Sequence, residues 1–540
     1  MEKPTINPLK HLSNLLKLEK ADISALYFYA VVSGILSLSL PLGIQSVIHF
    51  IQSGQITTSW MLLVILVIVG VVLTGVMQIM QLRITENIQQ RIFVHYSFDF
   101  AHRFPRFNRQ SLAGKIPVEL MNRFFDVISL QKGFSKVLLD FTSAFLQIAF
   151  SLLVLSLYHP FYIAFSFLLI LLLVLIFRPI IKRGLETSLR ESKYKYASAY
   201  WLQEIARADW SFRLIPNEKL SLNRLDEHAN AYLKSREDHF QILWKQFIWM
   251  IAIKALIVAS LLGLGGYLVI SQQINLGQFV AAEVLILLLL AAVEKIIQSL
   301  ETLYDVCTSL EKLEQVREIP VTFEENTTEN TIELFPLEMI RLNTEEKKPI
   351  IHLEKGQHTQ LIGENQLKIN TFLRQLIDPT VDHNFTPRWN FRVPDGNQLT
   401  SGFDQIGWFA KGTHLIEGTL LENIQFGRNG VSDEQVIDIL NLAGLSHLYK
   451  YQQEGLDFKI SKSDKFLSEE ERDRLLIARA IVNKPNLLII SFIGSPIAAE
   501  DRIRLIQDIQ TKNPQTTFII AVETPLLLNW NNIHFNDLRL

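Results

Sequence analysis

Long apolar runs dominate the first half of the chain, and short ones dominate the second. A helix needs about 20 predominantly apolar residues to cross the hydrocarbon layer of a membrane. Six stretches reach or approach that length: Leu26 to Phe50, Trp60 to Leu82, Val137 to Tyr158, Phe161 to Phe177, Phe247 to Ile270 and Leu276 to Leu300. Only Tyr158, His159 and Pro160 divide the third from the fourth, which predicts a tight helical hairpin. The connections IQSGQITTSW, SLYHPF and SQQINLGQ carry no Lys or Arg, whereas the N-terminus, Arg83 to Lys136 and Arg178 to Lys245 carry many. Lys and Arg are retained on the cytoplasmic side. The expectation is therefore a multi-pass protein with both termini cytoplasmic, short external loops and two long internal segments. In the internal segments, SLRESKYKYASAYWLQEIARADWSFRL and NRLDEHANAYLKSREDHFQILWKQF mix charged and apolar residues at helical intervals. About 25 residues of such helix reach about 38 Å beyond the membrane.

The composition shifts after Val316, where PVTFEENTTENTIELFP reads as a polar, acidic, proline-bounded linker. Beyond it, HTQLIG, QIGWFA, NLLIISFI and TTFIIAV alternate with helical patterns, as buried strands do in an α/β domain. The predicted organisation is a cytoplasmic N-terminal segment (1–20), a six-helix transmembrane domain with long helical extensions (21–316), a linker (317–335) and an α/β domain (336–540). At 540 residues and 49% hydrophobic the chain exceeds one ordinary domain, and its formal charge of −2 argues against nucleic acid as a partner. Cys307 is the single cysteine, so no internal disulfide is expected, and no Cys/His clustering predicts a metal site. The basic, polar start lacks the apolar core and small-residue cleavage site of a signal peptide.

Six spans, long helical extensions and a C-terminal α/β domain together resemble a half-transporter of the ABC exporter superfamily, over nearly the whole chain. KIPVELMNRFFDVISLQ and QEIARADWSFRLIPNEKLSLNRLDEHANAYLKSRE are similar to the two exporter intracellular loops. DQIGWFAKGTHLIEGTLLENIQFGR resembles the Q-loop segment, and RLLIARAIVNKPNLLII the helix after the signature motif with the Walker B strand. The resemblance implies an ATP site, yet the residues in its key positions differ. A Walker A loop uses glycines so that backbone N–H groups turn inward around phosphates, with a Lys on the phosphates and a Ser or Thr on magnesium. GENQLKINT keeps Gly363, but Gln366 and Lys368 stand in the later glycine positions, Ile369 in the lysine position and Asn370 in the hydroxyl position. Walker B ends in Asp-Glu in the family, for magnesium and for the attacking water. Here Ser491 and Phe492 stand there. The Q-loop glutamine position holds Lys411, the switch-histidine position Val522, and the D-loop reads Ser495, Pro496, Ile497, Ala498. IELFPLEMIRLN has no aromatic at the position where the family stacks the adenine.

The exporter signature begins Leu-Ser-Gly-Gly-Gln, with glycines that let a helix N-terminus approach the γ-phosphate held by the other subunit. This chain reads LSEEE, placing Glu469 and Glu470 after Ser468. A carboxylate about 4 Å from a phosphate charge costs about 4 kcal/mol at an effective dielectric near 20. A hydrogen bond to a charged group returns only about 1.5 to 3 kcal/mol. Repulsion wins if either glutamate faces the interface. Ser468 and Glu471 have the spacing of a capping box, and acidic residues suit a helix N-terminus, so the same residues also read as an ordinary, well-capped helix start.

The leading expectation is a catalytically inactive ABC exporter-like protein, with no catalytic residues and with ATP and magnesium binding lost, serving as a structural or regulatory component of an export assembly. A homodimer in the bacterial inner (plasma) membrane is expected. An alternative is the non-hydrolysing half of a heterodimer with another ABC half-transporter. A third reading is an ATP-independent channel or ion-coupled carrier, because charge within a span commonly marks a pathway. Lys254 and Glu294 lie at similar depth on the fifth and sixth spans and can pair, leaving Glu283 as the candidate for lining a wet cavity. The Leu40 to Gly43 run and the length of the membrane half resemble the protein- and peptide-exporting branch, including type I secretion. In that branch a periplasmic adaptor or other export components are implied partners, beside membrane lipid. The short stretch before the first span leaves no room for the peptidase-like domain often found there.

Overall fold

The computed structural model describes residues 8–52, 58–108, 110–112, 117–214, 219–322, 333–341, 349–380, 385–394, 396–428, 430–450, 454–461 and 467–538. Most of the predicted linker, 323–332, lies outside the described residues. The chain divides into two compact units, Met1–Pro105 with Gly114–Ile319, and Arg106–Ala113 with Pro320–Leu540.

The first unit is helical. An amphipathic α1 (Pro8–Leu18) precedes α2 (Lys20–Ser37) and α3 (Ser39–Gln52); then come α4 (Thr58–Arg103), α5 (Pro117–Asn122), α6 (Asp126–Tyr158), α7 (Pro160–Arg207), α8 (Asp209–Leu214), α9 (Lys219–Ser260), α10 (Gly266–Ile270) and α11 (Leu276–Arg317). Six of the resulting segments are long and apolar enough to cross a membrane. The first predicted span is broken into α2 and α3, where Pro41 has no N–H to donate to the carbonyl four residues back. The hairpin after the third span turns at His159, whose Nδ1 accepts the Phe161 N–H at 3.2 Å, with Pro160 in the first helical position. The helices α4, α7, α9 and α11 are 46, 48, 42 and 42 residues long. At 1.5 Å per residue each spans about 63 to 72 Å, twice a hydrocarbon core of about 30 Å.

Small residues let these helices approach closely. A Cβ on Gly133 of α6 would lie 2.6 Å from Val306 of α11, and one on Gly184 of α7 would lie 2.4 Å from the Tyr304 ring. The outward faces are apolar, as on α4, where Leu62, Leu66, Val72 and Ile79 are exposed.

The second unit is built on a five-stranded parallel sheet. Its strand order is β10 (Asn531–His534), β3 (Thr359–Ile362), β9 (Thr517–Val522), β8 (Leu487–Ser491), β5 (Ile406–Phe409). A three-stranded antiparallel sheet sets β1 (Leu337–Arg341) between β2 (Pro349–Leu353) and β4 (Phe385–Trp389). The strands β6 (Gly418–Thr419) and β7 (Lys459–Ile460) pair separately. The helices are α12 (Gln366–Ile377), α13 (Gly396–Phe403), α14 (Leu420–Gln425), α15 (Asp433–Leu442), α16 (Ser446–Lys450), α17 (Glu469–Ile481) and α18 (Ala499–Lys512). The strands β8 and β9 are buried along their whole length, the continuous apolar character that a sheet covered on both faces requires.

One buried cation joins α17 to the segment before it. Arg479 donates to the carbonyl of Asn423 at 2.6 Å, to its side-chain oxygen at 2.8 Å and to the carbonyl of His414 at 3.0 Å, and lies over the Phe426 ring. The variant Arg479→Leu removes this donor from the Asn423 and His414 carbonyls, while the Asn423 side-chain oxygen keeps the Ile416 N–H at 2.9 Å. An unsatisfied buried group costs about 1 to 3 kcal/mol. A loss of at least about 2 kcal/mol is expected, read as earlier chemical unfolding and faster protease cleavage of the second unit in the full-length protein.

Candidate functional site

In open α/β sheets ligands bind beyond the carboxyl ends of the strands. The candidate residues of the second unit lie there. Gly363 follows β3, Ser491 ends β8 with Phe492 after it, and Val522 ends β9. The Gly363 N–H donates to the Val522 carbonyl at 3.0 Å.

The stretch after Gly363 is wound into helix almost at once. Asn365 is the N-cap of α12, its side chain accepting the Lys368 N–H at 3.0 Å while its carbonyl accepts the Ile369 N–H at 3.0 Å. Gln366 and Lys368 therefore sit in a first helical turn, and Lys368 is exposed. Ile369 is fully buried, and a Cβ added to Gly363 would lie 2.8 Å from its Cδ1, so the isoleucine fills the space beside the glycine. Asn370 and Ser491 are buried, and the Oδ1 of one and the Oγ of the other have no hydrogen-bond partner among the described residues. Phe492 and Val522 are wholly buried in the hydrophobic core.

The turn after β8 is tied down from three sides. Gln366 Nε2 donates to the Ile493 carbonyl at 3.1 Å. The Glu523 carboxylate accepts the Gly494 N–H at 3.0 Å and an Arg502 N–H at 3.1 Å. Ser495 donates to the buried Asp473 at 2.6 Å. Gly494 has φ +73°, a left-handed conformation that glycine adopts without strain. Burial pushes the Asp473 carboxyl up. At Glu523 burial also acts upward, but the Gly494 N–H and Arg502 outweigh it and hold the group below the ordinary glutamate range.

At the signature position the capping box is present. The Glu471 N–H donates to Ser468 Oγ at 3.2 Å, and the Ser468 N–H donates to the Glu471 carboxylate at 2.8 Å. Each glutamate has a partner within the same unit. Glu469 pairs with Lys411 at 3.2 Å, Glu470 with Arg474 at 2.8 Å, and Glu471 with His447 at 2.6 Å. The Q-loop and signature positions are thus brought together, at the wall of a cleft of 710 Å³ that Asp473 also lines. The Glu469 side chain is 75% exposed, and an ion pair of this kind is worth at most about 1 kcal/mol.

Among the intramembrane candidates, Lys254 and Glu294 are in direct contact. Glu283 lies on an exposed face of α11, without a partner among the described residues. Sequence reasoning missed a second intramembrane pair. Lys295 meets Asp140 at 3.0 Å and Ser143 at 3.0 Å, and Ser299 donates to Asp140 at 2.8 Å. Both charges fall inside predicted spans, the signal that singled out Glu283. Asn365 was legible as an N-cap preceding an apolar-periodic stretch. The Glu523–Arg502 contact carries no sequence signal, since strand end and helix meet only in the fold.

No family model matches the chain. It is 23% identical over 305 residues to the lactococcin-A transport/processing ATP-binding protein LcnC of Lactococcus lactis subsp. lactis, covering 52% of this chain and 40% of that protein. It is 25% identical over 301 residues to the alpha-hemolysin translocation ATP-binding protein HlyB of Escherichia coli O157:H7, covering 53% of this chain and 41% of that protein. The chain thus spans well under two thirds of the length of these curated relatives. A solved bacterial Atm1-family ABC exporter with ATP bound superposes with a TM-score of 0.74 at 14% identity, over 94% of this chain and 91% of that one. The fold is that of an ABC exporter: six helices able to cross a membrane, then an α/β domain. In fold the chain matches an ABC exporter, and in sequence it is similar to proteins named as ATP-binding transport proteins, which together with the six apolar helices supports a multi-pass membrane protein.

Two measurements check the geometry. Removing the cap with Ser468→Ala costs about 1 kcal/mol at the start of α17, seen as faster amide hydrogen exchange over residues 467–475 and little change elsewhere. Because Glu523 titrates below its ordinary value when folded, its contribution is present above the ordinary glutamate pKa and lost as pH falls through the folded value. The turn at residues 492–497 is expected to open on acidification, and in Glu523→Gln that pH dependence disappears.

Proposed function

We propose that this chain is an exporter half whose α/β domain has given up ATP and magnesium and serves as a structural or regulatory part of an export assembly. The observation that carries the reading is the start of α12. An anion-binding loop must leave its N–H groups free to point at phosphate. Here the Lys368 and Ile369 N–H groups are taken up by Asn365, and the lysine position is a buried isoleucine. The residues present do not fit the nucleotide or its metal. Asn370 offers an amide where the family has a hydroxyl for magnesium, Ser491 is neutral where the family has a carboxylate, and Phe492 has no oxygen with which to activate water. The signature glutamates add negative charge where a partner subunit's γ-phosphate would approach.

Dimerisation needs no hydrolysis, and a homodimer in the inner membrane with cytoplasmic termini is the assembly we favour. Relatives named for lactococcin-A transport and alpha-hemolysin translocation support an export setting, in which an adaptor on the far side of the membrane is the corresponding partner.

The test is nucleotide binding by full-length protein in nanodiscs, with phosphate release followed on the same sample. No saturable binding of a fluorescent ATP analogue with magnesium is expected up to millimolar concentration, with phosphate release equal to that of empty nanodiscs. The variant Ile369→Lys is expected to leave binding absent, because the N–H groups stay helical. Saturable micromolar binding by the unaltered chain overturns the proposal, and co-purification with a hydrolysing half-transporter replaces it with the heterodimer.

A further inference from the structure

The first unit contains a polar cavity of 450 Å³ between α2, α4, α6 and α11. It lies toward the ends of the spans that continue into the long helical extensions of α4, α6 and α11. None of the charges singled out from the sequence lines it. Its walls carry Ser33, Gln78, Gln81, Gln147 and Lys295. Ser33 and Gln81 are 8% and 3% exposed, and neither has a hydrogen-bond partner among the described residues. Both line the cavity, so a molecule seated there can supply the hydrogen bonds that the fold does not. A cavity of this size and polarity is built to be filled by something that hydrogen-bonds.

The filling has to enter from somewhere, and α4 supplies the approach. Ile79 and Leu82 line the cavity and are both 62% exposed, and they continue an exposed apolar stripe through Val72 and Val76. A polar recess opening beside an apolar, membrane-depth flank has the chemistry of an amphipathic molecule lying partly in it. Lys295 has three N–H donors; one meets Asp140 and one Ser143, which leaves one for an anion, beside the amide donors of the glutamines. Asp140, which holds Lys295 and Ser299, does not line the cavity, so no carboxylate faces an ammonium group there.

We propose that this cavity is a phospholipid site that takes a hydroxyl-bearing phosphodiester headgroup, such as phosphoglycerol, with the acyl chains against the exposed flank of α4. Phosphate oxygens accept from Lys295 and the glutamine amides, and headgroup hydroxyls donate to the glutamine carbonyls. An ethanolamine headgroup is disfavoured for want of an anionic acceptor. The inference goes beyond the export role and stands whether or not the second unit binds nucleotide.

Native mass spectrometry of the full-length protein tests it, with palmitoyl-oleoyl phosphatidylglycerol and the matching phosphatidylethanolamine added in turn. A Cβ on Gly75, which lines the cavity, meets nothing within 4 Å, so Gly75→Leu fills the space without a backbone clash; Gly266, outside the cavity, is equally open and gives the control Gly266→Leu. The unaltered chain and Gly266→Leu are expected to retain one phosphatidylglycerol per chain in preference to phosphatidylethanolamine. Gly75→Leu and the near-isosteric Gln81→Leu are each expected to weaken retention by about tenfold or more, the loss of about 1.4 kcal/mol of contacts. Lys295→Met should abolish the preference for phosphatidylglycerol. Equal retention in all variants marks bulk lipid only and overturns the proposal, as does a preference for phosphatidylethanolamine.

Discussion

Every helix begins with backbone N–H groups that no earlier carbonyl can accept, and in the second unit of this chain the way those groups are satisfied governs the carboxyl end of the sheet. Side chains do it. Asn365 closes the start of α12, and Ser468 with Glu471 closes the start of α17. Once Asn365 has taken the Lys368 and Ile369 N–H groups, the turn before α12 is short and Ile369 faces the core. Ile369 packs in one hydrophobic cluster, and Phe492 and Val522, placed by the ends of β8 and β9, pack in the other. A phosphate-binding loop is the opposite solution to the same problem, because it keeps the donors open for a ligand.

Polar contacts tie the segments at that end together. Gln366 and Glu523 hold the turn after β8, and Arg502 lies between Glu523 and the Phe492 ring. Lys411 and Glu469 meet across the cleft above Asp473. These contacts connect segments that in a nucleotide-driven machine respond to the ligand. The proposed role as scaffold or regulator rests on the same chemistry, since an inward-facing set of bonds leaves few groups to which nucleotide binding can couple.

The first unit obeys a different constraint. Long helices satisfy their own backbone, so what must be paired is the polar side chain. Lys254 with Glu294, Asp140 with both Lys295 and Ser299, and Gln246 with Tyr304 at 2.6 Å are such pairings, each between different helices. The cavity between α2, α4, α6 and α11 is where pairing stops, and its unpartnered Ser33 and Gln81 are what make it a candidate site and not a packing defect.

The fold was legible because the signals behind it are local. Apolar run length fixes which helices are long enough to cross a membrane, and short buried strands between helical patterns fix an α/β domain. The capping box at Ser468 and Glu471 is a spacing of three residues and needs nothing else. The break at Leu38 was half legible, since Pro41 removes one helical hydrogen bond, yet α7 runs on through Pro179, so the proline alone does not decide a break. Other features required the tertiary structure, because they join residues distant in sequence: Lys295 with Asp140, Lys411 with Glu469, Glu523 with Gly494, and the four helices around one cavity. A sequence states which groups are costly to bury alone, whereas only the packed chain decides which of them find a partner and which line a cavity.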